Sequence, residues 1–288
     1  MAEATPPPPC NSKEKPVMKK KTSILLPIIL FIGLSLLLYP TISNYWNSLH
    51  QSRAIAGYVD TVASLSTKEY DEILTSAQEY NRGINRLTVS ELTDAQRIDY
   101  MSQLDLNGNG MMGYIDIPKI KCTLPIYHTT ESSVLQVAVG HVDGSSLPVG
   151  GDGTHCVLSG HRGLISAKLF TNLDQMVLGD LFVISVLNEK FTYEVDDISI
   201  VDPDDISKLT FEDGKDLCTL VTCTPYGVNS HRLLVRGHRV ENTTINIVRV
   251  SADATQISKW VICAIATIPV ILIVIIILAI RFAIIKRR

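Results

Sequence analysis

Away from its two ends the sequence has no basic surplus. Residues 41–259 hold about 17 Lys and Arg against about 27 Asp and Glu, a net charge of about −10. The whole-chain value of −3 hides this, because positive residues collect at the termini. So acidic a stretch repels a phosphate backbone, which excludes nucleic acid as a partner. No group of His, Cys and carboxylates falls at metal-ligand spacing, and Asp202, Asp204 and Asp205 read as a solvated turn, so neither a metal nor a cofactor is expected. No segment recurs at a fixed period, which excludes a solenoid or propeller. Proline is absent from residues 81–111.

Charge is also missing from two long apolar runs. Ser23–Tyr39 is about 17 residues, at the short end for a bilayer span, and Trp260–Ile280 is about 21, a comfortable span. Lys19, Lys20 and Lys21 precede the first run, and Arg281, Lys286, Arg287 and Arg288 follow the second. The positive-inside rule then puts both tails in the cytoplasm and everything between them outside. Tyr39 and Trp260 stand where interfacial aromatics belong. A signal peptide is the rival reading of the first run, but Pro40 and the bulky Tyr45 and Trp46 make no small-residue cleavage site. The expectation is a two-pass membrane protein with lipid as one partner. Of six cysteines, Cys10 lies in the tail and Cys263 in the second run. Cys122, Cys156, Cys218 and Cys223 remain outside and are expected to be free thiols, because a domain of this size builds a core without staples.

Between the runs the pattern changes once. From about residue 44 to 100, apolar residues recur at three- and four-residue spacing (Ile55, Val59, Val62, Leu65; then Tyr70, Ile73, Leu74, Ala77, Tyr80). Ser66 or Thr67 is placed to cap a second helix, and Thr93-Asp94 to start a third. Asn107-Gly108-Asn109-Gly110 is a break, and short β-rich runs follow: 112–117, 120–126, 155–159, 181–186, 190–195, 198–201, 217–222 and 232–239. About eight strands with few helices predict a mainly β protein, a closed barrel or a sandwich. The expected division is a tail (1–22), a membrane helix (23–39), a helical stalk or lid region (40–110), a β-barrel catalytic domain (111–241), a linker (242–259), a second membrane helix (260–280) and a basic tail (281–288).

Three segments carry chemistry. The run Thr219–Pro225 is β-rich and ends in Cys223, just before a proline that cannot continue the ladder. A thiol on the end of a strand is rigidly held yet free to face a groove, which suits a nucleophile. His161 sits between Gly160 and Gly163 at the end of another apolar run, in a turn whose glycines permit close approach, and is its candidate acid/base partner. In His231–Arg239, Arg232 follows Cys223 across a Pro- and Gly-containing loop, so adjacent strands would return it beside the thiol, where a guanidinium can steady an oxyanion. Arg236 and Arg239 fit ordinary surface or ion-pair use.

These segments resemble the sortase family. TLVTC (219–223) matches the family's TLxTC signature, SGHRG (159–163) its histidine motif, and GVNSHRLLVRGHR (227–239) its arginine strand. MGYIDIPKI, SLPVGGDGTH and KLFTNLD resemble the pilus-assembling class C branch, as do the two apolar runs around the domain. The resemblance covers about residues 45–240. It implies an eight-stranded β-barrel with Cys223 as nucleophile, His161 as general acid/base and Arg232 as stabiliser of substrate and oxyanion. The implied reaction cleaves an LPxTG-like sorting signal between Thr and Gly through a thioacyl intermediate and passes the acyl group to a pilin lysine. A cell-wall-anchoring sortase using a peptidoglycan amine is the alternative; a hydrolytic cysteine protease and a non-catalytic scaffold on the same barrel are more remote. Class C members often carry a lid with an Asp-Pro-aromatic motif. Here Asp94, Asp99 and Asp105 are followed by Ala95, Tyr100 and Leu106, so the usual lid anchor is not expected.

Overall fold

The computed structural model describes residues 22–84 and 92–242. All but the last residue of the expected tail (1–22), the second membrane helix (260–280), most of the linker and the C-terminal basic tail lie outside the described residues.

The first helix, α1, runs unbroken over Thr22–Ser64. The expected membrane helix ended at Tyr39, yet α1 continues through Pro40 into the stalk region, forgoing one backbone hydrogen bond there. It is long and apolar enough, from Ile28 on, to cross a membrane by length and composition, and it lies near the N-terminus, where a signal sequence passes the same test. The chain divides into two units after Tyr39. In the unit beginning at Pro40, α1 lays Tyr58 and Val62 into the core. Helices α2 (Thr67–Gly83) and α3 (Asp94–Ser102) each open with a capping box, Ser66 with Glu69 and Thr93 with Gln96, which satisfies free N–H groups of the first turn. Ala77 and Tyr100 are the contributions of these helices to the core.

Eight strands follow: β1 (Met111–Ile117), β2 (Cys122–His128), β3 (Val139–His141), β4 (Thr154–Ser159), β5 (Leu181–Val186), β6 (Glu189–Val201), β7 (Asp216–Thr224) and β8 (His231–Val240). They close into a barrel in the order β1-β2-β3-β4-β7-β8-β6-β5. The interior is filled by alternate residues such as Ile115, Ile126, Leu158, Ile184, Tyr193, Leu220 and Val235. Eight strands were expected, but two errors offset each other. The expected pair 190–195 and 198–201 is one long strand, β6, with its register shifted between Val195 and Asp197, so the polar break in the pattern is a bulge rather than a turn. The three-residue β3 was missed, because it is too short to show alternation. The strand expected at 120–126 starts at Cys122, after a turn of 3₁₀ helix over Pro118–Ile120. Cys122, Cys156, Cys218 and Cys223 are free thiols.

Two buried polar arrangements bear on stability. The Tyr58 hydroxyl donates to the Met112 carbonyl at 2.9 Å and accepts from the Leu187 N–H at 2.8 Å, joining α1 to β1 and to the turn after β5. Tyr58→Phe strands both backbone groups inside the protein and is expected to cost about 1–3 kcal/mol in urea unfolding. His155 is fully buried, bonded to the Thr210 carbonyl and the Thr219 hydroxyl, and burial lowers its pKa; burial does the same to His128. A histidine with a depressed folded pKa binds fewer protons folded than unfolded. Its stabilisation is therefore intact above about pH 6.5 and is lost as pH falls below that. Asp116 and Asp216, whose pKa values burial raises, act with the opposite sign from about pH 3.8 upward. The melting temperature is expected to fall between pH 7.5 and 5.5, and less steeply in His155→Gln.

Candidate active site

The site is set by strand register. β4 and β7 are parallel neighbours, with Cys156 opposite Cys218 and Ser159 opposite Val221, so their carboxyl ends point the same way. Two hydrogen bonds carry the pairing past the end of β4: the Gly160 N–H donates to the Val221 carbonyl at 3.0 Å, and the Thr222 hydroxyl donates to the Gly160 carbonyl at 2.7 Å. His161 is the next residue, held level with the end of β7, where Cys223 sits. β8 returns antiparallel to β7 and places Arg232 directly opposite Cys223. The three sequence-derived residues thus meet at one end of the barrel, all half-buried.

Alternation decides which way they face. Leu220 and Val235 point into the barrel core, whereas Val221 and Leu234 belong to a separate apolar cluster with Val157, Leu209, Val142 and Val201. Cys223 shares the parity of Val221, and Arg232 that of Leu234, so both lie on the face that carries this second cluster. The thiol and guanidinium therefore share a face with this cluster, whose Val157 and Leu234 are buried.

The three arginines of β8 differ in what they hold. Arg236 is clamped by Asp196 and Glu212, each at 2.9 Å. Arg239 lies over the Phe191 ring at 4.7 Å and donates to the Lys190 carbonyl. Arg232 makes no ion pair among the described residues. Its guanidinium donates only to the carbonyls of Asn229 (3.3 Å) and His231 (3.2 Å), which leaves charge to offer a ligand.

The histidine turn is built by its neighbours. The Phe170 N–H donates to the His161 carbonyl at 3.1 Å and closes the loop. Gly163 takes a φ of 76°, where a side chain is strained. At Gly160 a Cβ would stand 2.6 Å from the buried Phe170 ring. Gly160→Ala is expected to push His161 away from Cys223 and to lower kcat by about tenfold or more, since small misplacements of a catalytic group are costly; single-turnover kinetics on a sorting-signal peptide checks it.

Sequence reading passed over Arg162. Its side chain is only 9% exposed; the guanidinium donates to the Thr224 hydroxyl at 3.2 Å and to Asp174, tying the histidine turn to the end of β7. Position between His161 and Gly163 was the only available signal, and it does not separate a bracing arginine from a surface one. The three candidate groups make no hydrogen bond to one another among the described residues, a loose arrangement common before substrate binds. Hydrogen bonds from α3 run to His141, Thr129, Glu131 and Asp143, away from the three.

The sortase-domain family matches residues 115–240, which span β1 to the end of β8. Sortase D of Bacillus subtilis (strain 168) is 34% identical over 131 residues, covering 44% of this chain and 63% of that protein. The crystal structure of sortase C1 from Streptococcus agalactiae superposes with a TM-score of 0.64 at 52% identity, over 66% of this chain and the whole of that one. The chain belongs to the sortase family. Sortases are cysteine transpeptidases. Sortase C of Streptococcus pneumoniae, described in terms of its pilin substrate specificity, also superposes on this sortase, with a TM-score of 0.58 at 39% identity over 65% of this chain and 96% of that one. Class C pilin sortases are thus among its structural neighbours.

Proposed function

We propose that this sortase is a membrane-anchored class C enzyme in which Cys223, His161 and Arg232 cleave an LPxTG-like sorting signal and transfer it to a pilin lysine. The observation that carries the reading is the register of β7 and β8, which sets Cys223 opposite Arg232 at the end where β4 delivers His161. The Cys223 thiolate attacks the Thr carbonyl carbon, and Arg232 donates to the oxyanion that forms. Collapse breaks the Thr–Gly C–N bond as His161 gives a proton to the departing Gly nitrogen, leaving a thioester on Cys223. The lysine amine then attacks the thioester, His161 takes its proton, and an isopeptide bond forms as the thiolate leaves. The domain division set out from the sequence, with the stalk at 40–110 and the barrel at 111–241, belongs to the same reading, as does a two-pass topology.

The alternative acceptor, a peptidoglycan amine, is favoured by the missing Asp-Pro-aromatic motif. Competition decides between them: the full chain, loaded with an LPxTG peptide, is offered a lysine-bearing pilin domain and a peptidoglycan-type peptide amine together. Transfer to the pilin lysine is the expected result; transfer only to the peptidoglycan amine assigns the enzyme to wall anchoring.

A further inference from the structure

We propose that the catalytic end of the barrel rests on the membrane surface, with Ile165, Tyr226 and Val228 in contact with lipid. This rests on the reading of the first apolar run as an uncleaved anchor.

Connectivity supplies the first argument. The apolar run ends at Tyr39, and Asn44 is five residues on. That is about 7.5 Å of helix, and at most about 18 Å of chain however it is angled. Asn44 accepts from the Lys168 N–H at 2.9 Å, and Asn47 donates to the Ser166 carbonyl at 2.9 Å. Both partners belong to the His161 loop. The first part of the barrel that the chain meets after the apolar run is therefore the loop that carries the proposed acid/base.

Direction supplies the second. Beyond Asn47, α1 runs along the barrel to Tyr58, which binds Met112 and Leu187 at the start of β1 and the end of β5. Those strand ends lie at the opposite end from Cys223: β1 runs from Met112 toward Ile117, and Ile117 pairs with Cys122, whose thiol contacts the Leu169 carbonyl of the His161 loop. Fourteen residues from Asn44 to Tyr58 make about 21 Å of helix. The β5–β6 hairpin at Asn188 is thus at the opposite end of the barrel from the loop that Asn44 and Asn47 hold.

The third argument is what the near end displays. Ile165 is 67% exposed, Tyr226 60% and Val228 69%, all on two loops that touch: the Tyr226 ring lies against Gly163, 3.2 Å from where a Cβ would be. Trp46, 61% exposed on α1 beside Asn47, is of the residue type that favours the headgroup level. The domain's net negative charge provides no electrostatic attraction to an anionic envelope, so the contact is apolar. A sorting signal held just outside the membrane would then meet the thiol without leaving the surface.

The test uses the full chain with Cys10 and Cys263 replaced by Ser and Cys223 by Ala, reconstituted in phosphatidylcholine–phosphatidylglycerol vesicles that carry a nitroxide at the headgroup level. An environment-sensitive fluorophore is placed at Ile165→Cys, Val228→Cys or Asn188→Cys, with the labelled parent as baseline. Groups seated about 5–10 Å into the interface are expected to be quenched about twofold or more at 165 and 228 but not at 188. Flotation with the vesicles after an alkaline wash tests the anchor separately. A chain that floats with equal quenching at all three positions overturns the proposal and leaves the anchor standing. Failure to float overturns both. Shielding at 165 and 228 that appears only when a soluble acceptor protein is added also overturns it, and assigns the patch to that protein instead.

Discussion

Cys223→Ala is expected to abolish turnover of an LPxTG peptide, a loss of at least about 10³-fold, while the far-UV spectrum and melting temperature stay close to those of the parent. Chemistry of this kind has no substitute for its nucleophile, because the acyl group must be held covalently between donor and acceptor. The fold tolerates the change for a local reason. Cys223 is half-buried at the last turn of the β7 ladder, on the face that leaves the barrel, and it belongs to neither apolar cluster. Cys156 and Cys218 give the contrast. Both are buried in the core, opposite one another in the β4–β7 ladder. Their alanine variants should lower stability and leave the chemistry of the folded fraction unchanged. Parallel measurement of peptide cleavage and urea unfolding across the three variants checks this. Residual turnover in Cys223→Ala, or loss of turnover without loss of stability in Cys218→Ala, would mean that the nucleophile is misassigned.

The second large effect is expected at Arg232. Arg232→Ala should reduce kcat by about 10²–10³-fold, the usual loss of an oxyanion donor, with a smaller change in KM. Arg232→Lys should recover little of this. A guanidinium presents a planar fork of donors, and here the carbonyls of Asn229 in the β7–β8 loop and His231 at the start of β8 fix its orientation; an ammonium offers one charge on a flexible stem. Arg236 is the control, because it shares the face but is bound to two carboxylates. Arg236→Lys should shift stability modestly and leave kcat alone. Equal kinetic losses at the two positions would indicate a general field effect instead of contact with the reacting carbonyl.

Much of the site was legible in the sequence, and for a definite reason. Each candidate residue stands at a strand end or in a glycine-flanked turn, where local chemistry already says that a side chain is held and presented. Pro225 marked the end of β7, and the loop from Pro225 to Ser230 implied the return of β8. What the sequence could not supply was register. The short loop already returned Arg232 beside Cys223, but that β4 runs parallel to β7 is a long-range pairing, invisible to a local pattern. For the same reason Arg162 went unnoticed, since its partners Thr224 and Asp174 are remote in the chain. The helix caps at Ser66 and Thr93 were readable because a capping box is local. The continuity of α1 through Pro40 was not, because the apolar run ends at Tyr39 and the helical spacing resumes only near residue 44. β3 is three residues long and carries no periodicity, so only its neighbours β2 and β4 define it.

The most direct test of the central assignment is intact-mass analysis of the full chain incubated with an LPxTG peptide at low amine concentration, followed by peptide mapping. The account predicts a covalent increment equal to the peptide's acyl portion through Thr, located on Cys223 and released by hydroxylamine or a lysine amine. An increment on another residue, or cleavage of the peptide with no acyl-enzyme under any acceptor concentration, would contradict it.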